Sequence, residues 1–78
     1  MSAYLLVIDE AAKLLRCSPR TVHSLVGRRA IPHRRIGGTR RILFVEAELT
    51  RWIEDGCALE EIVTTDGGRI VRPAKGAS

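Results

Sequence analysis

Eight arginines fall between positions 16 and 41, and no Asp, Glu or Lys lies among them. They are Arg16, Arg20, Arg28, Arg29, Arg34, Arg35, Arg40 and Arg41. Arginine offers a planar fork of N–H donors that fits phosphate oxygens or a guanine edge with two parallel bonds, where lysine is a point charge. A merely solvated surface mixes both signs. The chemistry implied is non-covalent recognition of a polyanion. The remaining charge is arranged around this block: residues 1–15 carry −1, residues 42–61 carry −5 and residues 62–78 carry +2, for a net +4. The acidic block argues against a uniformly adhesive cationic protein.

Other reactive side chains carry less. Cys17, Cys57, His23 and His33 match no zinc-module spacing. No nucleophile–base pair, carboxylate pair or metal cluster is visible, so neither an enzyme nor a cofactor is expected. His23 is read as a flanking contact or a solvated residue. No secretory h-region or membrane span is present, which points to a cytoplasmic protein with reduced thiols.

These arginines need positioning. With 78 residues, one small domain is available. Leu5, Leu6 and Val7 are expected to enter the core as an extended segment. Ile8, Ala11, Ala12 and Leu15 share one helical face and define a first helix, about Asp9–Arg16. Ser18-Pro19 is a strong helix start, a capping hydroxyl followed by a residue pre-set for the first turn. Only Cys17 separates the two, which is helix-turn-helix spacing. In the second helix, about Pro19–Arg28, Val22, Leu25 and Val26 face inward. Arg20, Ser24 and Gly27, flanked by Thr21, His23 and Arg28, form a face suited to a major groove.

Ile31-Pro32 ends the helical region. His33–Ile36 and Arg40–Phe44 flank Gly37-Gly38-Thr39 and read as a β-hairpin, with Ile42 and Phe44 inward. Its glycine tip suits close approach to a nucleic-acid backbone or minor groove. Val45, Leu49, Trp52 and Ile53 set the inward face of a third helix, about Val45–Asp55, with Trp52 plugging the core and Gly56 as its stop. Beyond it, residues 57–78 form a tail. Asp66-Gly67 signals a second short hairpin, with Pro73–Ser78 disordered.

Taken together, Glu10-Ala11-Ala12 with Leu15, Ser18-Pro19-Arg20-Thr21-Val22, Ile31-Pro32, Arg35-Ile36-Gly37-Gly38-Thr39-Arg40-Arg41, and Leu49 with Trp52-Ile53 resemble the excisionase-type MerR-like winged-helix DNA-binding domains. The resemblance covers about Leu5–Gly56. It implies an α+β fold, a small winged helix-turn-helix of three helices plus a two-stranded wing. The DNA-binding domain is then residues 1–56. The expected recognition-helix contacts are Ser18, Arg20, Thr21, His23, Ser24 and Arg28, of which the resemblance implies Arg20, Thr21, Ser24 and Arg28. The expected wing contacts are Arg34, Arg35, Gly37, Gly38, Thr39, Arg40 and Arg41, of which the resemblance implies Arg35, Gly38, Thr39, Arg40 and Arg41. Where the family carries a glycine after the second helix, this chain has Arg29. Either Arg29 adopts a strained left-handed conformation, at about 1 kcal/mol or more, or the helix ends differently.

The implied partner is double-stranded DNA. The leading expectation is an excisionase, or recombination directionality factor, of a prophage or other integrated element. It would bind and bend attachment-site DNA cooperatively, associate head to tail, and bias a site-specific integrase toward excision. The alternative is a small MerR-like transcriptional regulator with the same DNA chemistry. A protein-interaction adaptor that uses the fold without DNA fits the arginine block poorly.

Overall fold

The computed structural model describes residues 5–56 and 58–74. The elements follow in the order β1 (Leu5–Leu6), α1 (Ile8–Leu15), α2 (Pro19–Gly27), β2 (His33–Arg35), β3 (Ile42–Val45), α3 (Glu46–Asp55), β4 (Leu59–Val63) and β5 (Arg69–Pro73).

Short-range bonds start the first two helices. The Glu10 carboxylate accepts the Val7 N–H at 3.0 Å. The Ser18 hydroxyl accepts the Thr21 N–H at 3.2 Å, and Pro19 opens α2. Both helices then stop in the same way. Arg16 has φ 57° and Arg29 has φ 54°. Beyond α1, the Cys17 N–H reaches the Ala12 carbonyl at 3.0 Å and the Arg16 N–H reaches Lys13 at 3.2 Å. Beyond α2, the Ala30 N–H reaches Leu25 at 2.9 Å and the Arg29 N–H reaches Val26 at 3.0 Å. These are paired Schellman closures, whose left-handed residue is usually glycine. Of the two alternatives posed for Arg29, strain is the one realised. Arg16 was expected in the last turn of the first helix; it is instead the residue that turns the chain out of it.

The core lies where α1, α2, α3 and one face of the sheet meet. Ala11 and Ala12 lack bulk beyond Cβ, which lets α2 pack close. Val22, Val26, Ile31, Phe44 and Leu49 complete it. Cys17 is half-buried against this cluster; Cys57 lies outside the described residues. Three expectations need correcting. Trp52 packs at the edge of the core and Phe44 is its largest fully buried side chain, because β3 runs through the centre between α1 and α3. Ile53 is half exposed, since α3 is a single ten-residue helix at the rim with Leu49 as its buried anchor. Leu5 and Val7 are also exposed; β1 is a two-residue edge strand that sends only Leu6 toward the cluster. Gly56, at φ 58°, stops α3 as expected.

The sheet is larger than the expected two-stranded wing. β2 and β3 do form the anticipated hairpin, pairing Arg34 with Leu43 and Arg35 with Ile42. But β1 pairs with the outer edge of β3, and β5 with the outer edge of β2. The result is a five-stranded antiparallel sheet in the order β1-β3-β2-β5-β4. The Asp66-Gly67 hairpin exists and docks on the wing strand itself, with His33, Arg34 and Arg35 opposite Val71, Ile70 and Arg69. Pro73, expected to begin a disordered end, is buried in β5, and the Ala74 N–H reaches the Ala58 carbonyl at 2.8 Å. The remainder of that expectation, residues 75–78, lies outside the described residues.

Candidate nucleic-acid interface

The α2 surface is built by helical spacing. Val22 and Val26 are buried, so Arg20, Thr21, His23, Ser24 and Gly27 stand on the exposed arc, with Arg28 just past the helix end. The Ser18 and Thr21 hydroxyls lie 3.0 Å apart and share one hydrogen bond. Ser18 is therefore first a helix cap, whatever it touches outside.

The wing tip is a tight turn. The Thr39 N–H reaches the Ile36 carbonyl at 3.2 Å, and the Ile36 N–H reaches the Arg41 carbonyl at 3.1 Å. Gly38, at φ 74°, takes the position that demands a left-handed residue. The Thr39 hydroxyl donates to Ile36 at 2.9 Å and accepts the Arg41 N–H at 3.1 Å, so it shapes the tip from within. Gly37 differs from its expected use. A Cβ there would run into the side chain and carbonyl of Asp66, in the β4–β5 turn. Its missing side chain admits a neighbouring turn of the same chain. The Asp66 carboxylate accepts from the Thr64 hydroxyl and, at 3.1 Å, from the Gly68 N–H. Those bonds hold its pKa below the ordinary carboxylate value, the hydroxyl contributing most.

Long-range acids sort the arginines. Arg34, expected on the wing surface, points to the opposite face of the sheet from Arg35. There its guanidinium donates to Glu48 of α3 at 2.7 Å, with Arg34 Nε and Glu48 Oε1 without partners among the described residues. Arg29 donates to Glu61 of β4 at 3.1 Å. The other six, Arg16, Arg20, Arg28, Arg35, Arg40 and Arg41, are exposed and have no carboxylate within 4 Å among the described residues. The structure thus leaves three free arginines with the helix pair and three with the wing.

A buried network behind the wing escaped the sequence reading. His33 has no exposed surface. Its Nδ1 lies 2.8 Å from the Ile31 carbonyl, and its Nε2 faces Arg69 of β5 at 3.2 and 3.3 Å. Arg69 can only donate, so Nε2 accepts and Nδ1 carries the proton. Burial lowers the imidazole pKa most; the Ile31 carbonyl opposes this, and Arg69 and Arg29 add to the lowering. The only sequence signal was a histidine beside a proline at the head of a strand. Its partner lies 36 residues away.

A family model described as a helix-turn-helix domain matches residues 5–57, and the chain belongs to that family. Searches of curated proteins and of solved structures find no match. Membership points to DNA binding, since in such domains the second helix of the pair is the one that enters the major groove. Among the described residues, no helix is long and apolar enough to cross a membrane.

Proposed function

We propose that this protein binds double-stranded DNA in a sequence-specific way, with α2 in the major groove and the β2–β3 tip on the adjacent minor groove or phosphates. The observation that carries this is the sorting of the arginines: two of the eight are held by acids of α3 and β4, and among the described residues the other six, on the helix pair and the wing, meet no carboxylate. Arg20, Thr21, His23, Ser24 and Arg28 serve the helix side. Arg35, Arg40 and Arg41, set by Gly38 and Thr39, serve the wing. Arg34 holds α3 to the sheet.

The particular role we propose is excisionase, or recombination directionality factor. The support is the Glu10-Ala11-Ala12, Ser18-Pro19 and Arg35–Arg41 motifs shared with that type of winged helix. In this role the protein bends attachment-site DNA and directs a site-specific integrase toward excision. Two measurements separate the layers of this reading. If about six arginines meet phosphate, log K against log salt has a slope near −5; a flat slope removes the DNA reading. Adding the protein to its cognate integrase with paired attachment sites should raise excision and suppress integration. Unchanged recombination with intact DNA binding leaves the transcriptional-regulator alternative.

A further inference from the structure

β4 pairs with β5 alone, and its outer edge is uncovered among the described residues. The bonds closing that hairpin set its phase: Ala74 N–H to Ala58 at 2.8 Å and Thr64 N–H to Gly68 at 3.1 Å. Hydrogen-bonded and non-bonded pairs alternate along an antiparallel ladder. Glu60 and Ile62 therefore aim their main chain at β5, and Leu59, Glu61 and Val63 aim theirs outward. Open edges are normally blunted by charge, proline or a bulge. Here both edge acids are already engaged: Glu60 accepts from Arg72 at 2.7 Å and Glu61 from Arg29 at 3.1 Å. Pro73 lies on β5, opposite Leu59, and leaves the outer edge intact. Val63 is 72% exposed and Ile62 37%.

We propose that this edge is a self-association surface whose occupant is β4 of a second copy, antiparallel about a two-fold axis at Glu61. The outward residues read the same in both directions: apolar, neutralised acid, apolar. An isologous contact sets residue i against j and j against i, so here each apolar end meets an apolar end and only the already paired acid meets its own copy. Leu59 meets the partner's Val63 at each end. At the centre two carboxylates alternate with two Arg29 guanidiniums, which removes the repulsion that two bare glutamates would exert across the pair. The two sheets become one. A single pair of short edges buries less than the roughly 1,600 Å² of a standard interface, so the dimer is weak and concentration-dependent. It closes at two copies, where head-to-tail association would keep growing. Because the contact is read without DNA, it stands or falls separately from the DNA-binding proposal.

Sedimentation of the full chain from micromolar to millimolar concentration is the test, paired with hydrogen exchange. The wild type is expected to pass reversibly from monomer to dimer. Amides of Leu59, Glu61 and Val63 should gain protection as it does, while those of Glu60 and Ile62 stay protected throughout. Val63→Pro removes an outward donor at each end of the interface and spares the β4–β5 ladder. It should raise the dimer dissociation constant about tenfold or more, for two lost hydrogen bonds. A protein that stays monomeric with concentration-independent exchange at Glu61 and Val63 overturns the inference. So does open-ended growth. An unchanged dissociation constant in folded Val63→Pro does the same. If Val63→Pro does not fold, the wild-type exchange pattern alone decides.

Discussion

Replacing Arg16 with glycine should make the protein more stable and a poorer DNA binder. Arg16 sits at φ 57° after α1, with no carboxylate within 4 Å among the described residues. Left-handed backbone costs a side-chain-bearing residue about 1–2 kcal/mol. Glycine removes that cost, but its freer unfolded chain returns about 0.4–1 kcal/mol. The net gain is about 0.5–1 kcal/mol, or a rise in Tm of roughly 2–8 °C for a domain of this size. Arg29→Gly supplies the internal control. Its strain is the same, at φ 54°, but it also loses the bond to Glu61, whose side chains are 50% and 40% exposed. Such a pair is worth about 0.2–1 kcal/mol, which brings the net change close to zero. Thermal unfolding of the two variants beside wild type measures the difference. In DNA titrations, Arg16→Gly should flatten the salt slope by about 0.9 if Arg16 meets a phosphate. A fall in Tm for Arg16→Gly, or equal shifts for both variants, would refute the reasoning that strain is tolerated to keep a cation at this turn.

Three further perturbations address the sheet. Gly37→Ala should cost about 1–3 kcal/mol, since the new Cβ meets the Asp66 main chain, and should speed hydrogen exchange in β5. Gly38→Ala, with open space but φ 74°, should cost about 1–2 kcal/mol and leave β5 protected. Arg34→Ala should destabilise by about 1–3 kcal/mol, because Glu48 loses its cation in a half-buried site, yet leave the salt slope of DNA binding unchanged. A reduced slope would return Arg34 to the DNA surface. His33 gives a pH dependence. Its folded pKa lies below the ordinary 6.5, so above that value its contribution to stability is complete. As pH falls through 6.5 the unfolded chain takes a proton that the folded chain refuses, and stability declines until the folded pKa is reached. Urea unfolding between about pH 7.5 and about pH 5.5 should show this loss, reduced in His33→Gln.

The three-helix order, the capped start of α2, the two glycine-bearing turns and the inward Ile42 and Phe44 were all legible in the sequence. Each rests on contacts within a few residues: a hydroxyl reaching an N–H three positions on, a positive φ at a tip, an alternation along one strand. So was the concentration of arginine between positions 16 and 41. What each arginine does was not legible. Arg34 is held by an acid 14 positions away and Arg29 by one 32 positions away. No local pattern separates them from Arg35 or Arg28 beside them. The tail was readable as a hairpin but not as a neighbour of the wing, because strand pairing is chosen by edges that come together only in the folded chain. That choice makes the wing the centre of a five-stranded sheet. It also turns Gly37 from an opening toward DNA into a seat for Asp66. Composition and local geometry therefore determined that a basic helix and a basic turn exist; tertiary packing decided which two arginines are held by acids of the fold.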